Sequence, residues 1–205
     1  MNRIFMTVLE ARTLLTRAPG WGKLTMKLMG NYWFDIPWRF KSKRDRNLSM
    51  GNALIAAGRF EEAEASYRKA IENDFPGKAG IFLNKMGHAC MLAGAFEQAE
   101  SAFRRAVEAF NEEPIFHCDL GDALVMMGRV DEAFRSYGNA VLVNPAFEGT
   151  YYHRLGNRLM KENRAPEAVE AFHRAGAADP SNAFYKLGLA NALSSCGRTG
   201  EAKEI

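Results

Sequence analysis

Cysteine is scarce in this 205-residue chain: Cys90, Cys118 and Cys196, an odd number with no paired spacing. Such a set argues against a disulfide framework and makes a reducing, cytoplasmic setting the default expectation. Long apolar runs are also missing. The stretch at residues 4–9 is too short for a membrane span or a cleaved secretory leader, and it ends at Glu10. The glycines are spread out, so no phosphate-cradling loop is present. The close His/Cys neighbours are His88 with Cys90 and His117 with Cys118. Residues one or two apart on a helix do not share a face, so neither pair reads as a chelate. No nucleophile with a positioned base can be named, and neither catalysis, metal nor cofactor is expected. Net charge is only +3, too small to imply a polyanionic partner by itself.

The charge is unevenly placed. Residues 1–46 hold ten Lys or Arg against three Asp or Glu, a net +7, which leaves −4 on the remaining residues. Residues 3–17 read as an amphipathic helix, with Ile4, Val8, Ala11 and Leu15 on one side. A second short helix is expected over residues 21–30. Tyr32, Trp33, Phe34, Trp38 and Phe40 come next, interleaved with basic residues around Pro37. Three readings stay open for this segment. The rings cap the N-terminal end of the helical region that begins at residue 44, or they sit at a membrane surface as a peripheral anchor. The third reading, nucleic-acid stacking, is the least favoured.

From residue 44 onward the chain repeats itself. A small residue recurs at Gly51, Gly87, Gly121, Gly156 and Ala190, with spacings of 36, 34, 35 and 34. Twelve residues after each comes an alanine: Ala63, Ala99, Ala133, Ala168 and Ala202. Seven further on stand Ala70, Ala106, Ala140 and Ala175, with Tyr67, Phe103, Tyr137 and Phe172 between the two alanines. Gly58, Gly94, Gly128, Asn163 and Gly197 fall where a turn is required. Glycine, and next asparagine, holds the left-handed backbone that ends a helix. Small residues let two antiparallel helices approach, and large ones fill the flanking grooves. Each unit therefore reads as a helical hairpin. The first helices lie near 44–57, 80–93, 114–127, 149–162 and 183–196, with partner helices beginning near 60, 96, 130, 165 and 199.

This period, with its Gly, Ala, aromatic and Pro positions, resembles the tetratricopeptide repeat family. The resemblance implies an all-α, right-handed solenoid of about five hairpins over residues 44–205, the last incomplete, preceded by a capping or anchoring segment at 1–43. It further implies a concave groove lined by the first helices that binds an extended peptide or partner helix, and hence a protein-interaction scaffold or adaptor. Carried onto this sequence, the groove residues are Asn52, Asn84, Lys85, His88, Asp119, Asp122, His153, Arg154, Asn157 and Asn191. Asn52, Asn157 and Asn191 share one equivalent place, and each amide offers a donor and an acceptor to a peptide backbone. Hydrogen bonding to neighbouring hairpins is the competing role. Lys85, Asp119, Asp122 and Arg154 make the middle charged but nearly neutral. They either bridge adjacent helices or, if free, select a peptide of mixed charge. Leu48 stands where members that grip a terminal carboxylate carry a lysine, which disfavours that mode. Two alternatives stand beside the scaffold: a regulatory or substrate-presenting arm of an enzyme continuing past residue 205, and a membrane-assembly scaffold held by residues 1–46. Oligomerisation through the open C-terminal end is a further expectation.

Overall fold

The structure is a computed structural model that describes residues 42–72 and 79–205. Lys41–Ile205 forms one compact unit. The expected terminal helices and the aromatic run of the N-terminal segment lie outside the described residues.

Within the described residues the chain is helical throughout, and each hairpin is built from its turn outward. At Gly58, Gly94, Gly128 and Gly197 φ is 73°, 74°, 74° and 77°, and at Asn163 it is 59°. These left-handed residues stop the first helices. The amide one residue later then reaches back to a carbonyl in the last turn: Arg59 to Leu54 (2.8 Å), and Ala95 to Cys90, Arg129 to Leu124, Arg164 to Leu159 and Arg198 to Leu193 (2.9 Å each). The bonds satisfy carbonyls that a helix end would otherwise leave open. In four turns the following Arg also pairs with the Glu three residues on, as Arg129 does with Glu132 at 2.6 Å.

The resulting hairpins are α1 (Lys43–Ala56) with α2 (Phe60–Glu72), α3 (Ala79–Leu92) with α4 (Phe96–Ala109), and α5 (Pro114–Met126) with α6 (Val130–Val143). They continue with α7 (Glu148–Lys161) and α8 (Ala165–Ala178), then α9 (Ala183–Ser195) and the four-residue α10 (Thr199–Ala202). Ser42 and Asp45 cap α1 reciprocally: the Asp45 amide donates to Ser42 Oγ at 3.1 Å, and the Ser42 amide donates to Asp45 Oδ2 at 3.3 Å. A 3₁₀ turn at Pro145–Phe147, which periodicity does not signal, leads into α7.

Within a hairpin the aromatic ring of the second helix lies on the glycine of the first. A methyl group added at Gly51, Gly87, Gly121 or Gly156 would stand 2.6, 2.4, 2.6 or 2.8 Å from the ring of Tyr67, Phe103, Tyr137 or Phe172. Ala63, Ala99, Ala133 and Ala168 are completely buried, as are Ala70, Ala106, Ala140 and Ala175. The fifth unit departs from the pattern. Ala190 and Ala202 are only half-buried, and it is Gly188 whose Cβ would meet Phe172, at 2.5 Å. Met50 is 57% exposed although its counterparts Met86, Leu120 and Leu155 are buried. Each of those three has a hairpin before its own, and among the described residues no hairpin precedes α1.

Successive first helices pack on one another in chain order, and each second helix packs on the next first helix. The second helices stand farther apart and are linked by long side chains. Arg105 reaches Glu64 (3.1 Å), Arg129 reaches Glu100 (2.9 Å), and Arg174 lies 5.1 Å over the Phe134 ring. The first helices thus form the tighter layer, and a stack whose two layers differ in spacing curves toward the tighter one.

Candidate interaction face

The first-helix face carries the residues expected to bind, and the structure divides them into a sealed set and an open set. Asp119 and Asp122, on α5, are 2% and 5% exposed, so they do not stand free in a groove. Asn84 Nδ2 donates to Asp119 Oδ2 at 2.7 Å, and His88 Nε2 lies 3.0 Å from the same oxygen. From the other side Arg154 Nη2 donates to Asp119 Oδ1 at 2.5 Å and to Asp122 Oδ2 at 2.6 Å, and its Nε reaches Asp122 at 3.2 Å. Arg158 adds a 3.3 Å bond, and the Tyr137 hydroxyl donates to Asp122 Oδ1 at 2.8 Å. One polar cluster therefore ties α3, α5 and α7 together, and the reading as bridges between adjacent helices is the one the structure shows for these residues. Sequence reasoning missed Arg158, although it lies four residues after Arg154 and so on the same helical face.

The electrostatics reflect this burial. Burial alone would raise the Asp119 carboxyl. The hydrogen bonds from His88, Asn84 and Arg154, with the Arg154 charge, outweigh it and hold the group below the usual carboxylate range. The bond to Asp119 raises His88 against the opposing effect of its partial burial. Cys118, buried beside the cluster, is pushed up to about 12 by desolvation.

The asparagine row is partly engaged. Asn52 Oδ1 accepts the Tyr67 hydroxyl, as Asp122 accepts that of Tyr137 at the equivalent place. In the two hairpins with phenylalanine instead of tyrosine this partner is missing. There His88 meets the Phe103 ring edge-on at 5.2 Å, and Asn157 turns to His153 Nδ1 at 3.3 Å. His153 packs between Phe172 and Tyr185, at 5.5 and 5.2 Å, and its desolvation lowers its pKa. Asn191 is exposed, and so is Lys85, whose ammonium lies 6.0 Å over the Phe82 ring. The tyrosine–phenylalanine alternation was the available signal for these differences.

The histidines and cysteines separate in the same way. Cys90 is fully buried while His88 points outward, so the pair shares no face. His117 is buried and bonds the Asn111 carbonyl oxygen at 3.0 Å. His173 is exposed, because it lies on the side of α8 away from α7 and α9. No helix among the described residues is long and apolar enough to cross a membrane.

A sequence profile of the tetratricopeptide repeat matches residues 48–114 and 85–149. The chain belongs to the tetratricopeptide repeat family. Small glutamine-rich tetratricopeptide repeat-containing protein 2 of Mycosarcoma maydis is 36% identical to it over 77 residues, which is 38% of this chain and 22% of that protein. A structure of MamA from Desulfovibrio magneticus RS-1 aligns over 80% of this chain and 91% of its own, with a TM-score of 0.53 at 18% identity. A tetratricopeptide repeat protein from Parabacteroides merdae ATCC 43184 aligns over 79% of this chain and 63% of its own, with a TM-score of 0.55 at 14% identity. At such identities these two structures show a shared fold. Tetratricopeptide repeat proteins generally mediate protein–protein interactions.

Proposed function

We propose that the protein is an interaction scaffold that holds an extended segment of a partner protein along the exposed face of its first helices. The observation that carries this reading is a row of large apolar side chains left in solvent on that face. Ile81, Ile115 and Phe184 occupy one equivalent place on α3, α5 and α9 and are 46%, 42% and 73% exposed, with Leu187 at 58% one turn along α9. A single exposed leucine or isoleucine is ordinary on a protein surface, whereas an aligned set marks a place that another chain covers. Beside the row, Asn157 and Asn191 keep amide groups available to a peptide backbone.

Site-specific photo-crosslinking tests the reading. A benzophenone side chain placed at position 157 or 191 is expected to capture partner protein from native extract, and one placed at Arg135 on the outer face of α6 is not. Equal capture from both faces, or capture from position 157 that persists in a Phe184→Glu, Leu187→Glu variant, would sink the groove assignment.

A further inference from the structure

The acidic groups at the centre of the first-helix face are consumed within the fold, and what that face turns outward is cationic. Asp119 and Asp122 are buried among their hydrogen-bond partners. Lys85 and Lys161 are exposed, and the Arg154 and Arg158 side chains keep 32% and 29% of their surface in solvent. Arg154 engages the carboxylates through Nε and Nη2, which leaves its Nη1 edge turned away from them. Among the acids, Asp45 stands at the Ile81-equivalent place on α1, where Ser42 and Arg44 engage it, Glu113 and Glu148 sit where the chain enters α5 and α7, and Glu162 lies just past the end of α7. The sequence alone left these charges either bridging adjacent helices or, if free, selecting a ligand of mixed charge. With both aspartates sealed, the complement shifts toward acid.

The apolar row sets a spacing. Packed helices lie about 8–10 Å apart, so Ile81, Ile115, Thr150 and Phe184 form four stations separated by that step. In a flat strand, residues three apart point to opposite faces. A polyproline II helix has about three residues per turn and rises about 3.1 Å per residue, so every third side chain returns to one face after about 9 Å. That step matches the spacing of the stations.

We infer that the occupant of this groove is an internal acidic segment in polyproline II conformation, with a large apolar side chain at every third residue. Its apolar side chains lie on the Ile81–Phe184 row, and its Asp and Glu residues lie over Lys85, Arg154 and Lys161. The inference rests on the groove reading and adds the class of partner. No free terminal carboxylate is required, because the cations are spread along the face.

The test uses the full chain and three labelled ten-residue peptides, acetylated and amidated so that no terminal charge contributes. The first has leucine at positions 1, 4, 7 and 10 with Asp, Glu and Pro between. The second replaces its acids with Lys. The third keeps the composition of the first but shuffles the leucines out of register. By fluorescence anisotropy the first is expected to bind about tenfold or more tighter than either other, with an affinity that falls as salt rises. A Lys85→Glu, Lys161→Glu variant, altered only at exposed positions, should lose that preference while keeping its circular dichroism. If the second or third peptide binds as tightly as the first, and binding still falls in Phe184→Glu, the class of occupant is overturned while the groove reading stands. If binding of the first peptide is indifferent to Phe184→Glu, the groove reading falls too. Failure of all three peptides to bind overturns the inference.

Discussion

Replacing Arg154 by leucine tests the central cluster most directly. The substitution keeps an aliphatic side chain on α7 but removes the cation that joins Asp119 to Asp122. Asp119 retains Asn84 and His88, while Asp122 retains Tyr137 and Arg158. Removing one partner of a buried ion pair costs about 3–5 kcal/mol. With Arg154 one-third exposed and these residual partners in place, the lower end applies, about 3 kcal/mol. For a unit of this size that is a fall in Tm of about 6–12 °C, measurable by thermal or urea denaturation followed at 222 nm. The pH dependence gives an independent check. In the native protein Asp119 is held below the ordinary carboxylate range. It therefore contributes stability that is present above the unfolded pKa, about 4, and is lost as pH falls through the folded value. Without Arg154, burial dominates and the carboxyl moves up, so acidification relieves the variant before it harms the wild type. The gap between the two should narrow from pH 7.5 to pH 5. A loss below about 1 kcal/mol, or a gap that widens on acidification, would show that the cluster does not hold α3, α5 and α7 together.

Four further outcomes are expected. Gly87→Ala should destabilise by about 1–3 kcal/mol, because its methyl would stand 2.4 Å from the Phe103 ring. Gly138→Ala, in the middle of α6 with nothing within 4 Å of the new methyl, should stabilise by about 0.5–1 kcal/mol; paired urea curves decide both. His88 is raised by its bond to Asp119, so this contact's stability is complete below the unfolded imidazole value and is lost as pH rises through the folded one. An NMR titration should show the His88 value dropping in Asp119→Asn, and an unchanged value refutes the coupling. Cys90 and Cys118 are buried, with thiols pushed up to about 11 and about 12. Ellman's reagent should therefore titrate one thiol quickly in the native protein, Cys196, and the other two after unfolding.

Much of the array is legible in the sequence, because its rules are local. A left-handed residue must stand where a helix reverses, so Gly58, Gly94, Gly128, Asn163 and Gly197 mark the turns. Two helices can approach closely only over glycine or alanine, so Gly51, Gly87, Gly121 and Gly156, with their buried alanines, fix which faces meet. The fifth hairpin is misjudged at Ala190 because Gly188 receives the ring of the preceding unit, a contact between hairpins that repeat alignment does not see.

The binding face is legible only as a set of positions. The helical period places Asp119, Asp122 and Arg154 on the correct side of their helices, yet whether they meet a ligand or one another depends on residues 31 to 36 positions away in the chain. That period gives the direction of a side chain but not the length its neighbour can reach. Local stereochemistry therefore determined the stack, and only the tertiary structure decided that its central acids face inward to their own arginines. Sealing a charge requires several groups at hydrogen-bond distance at once, and only the packing of separate helices supplies that.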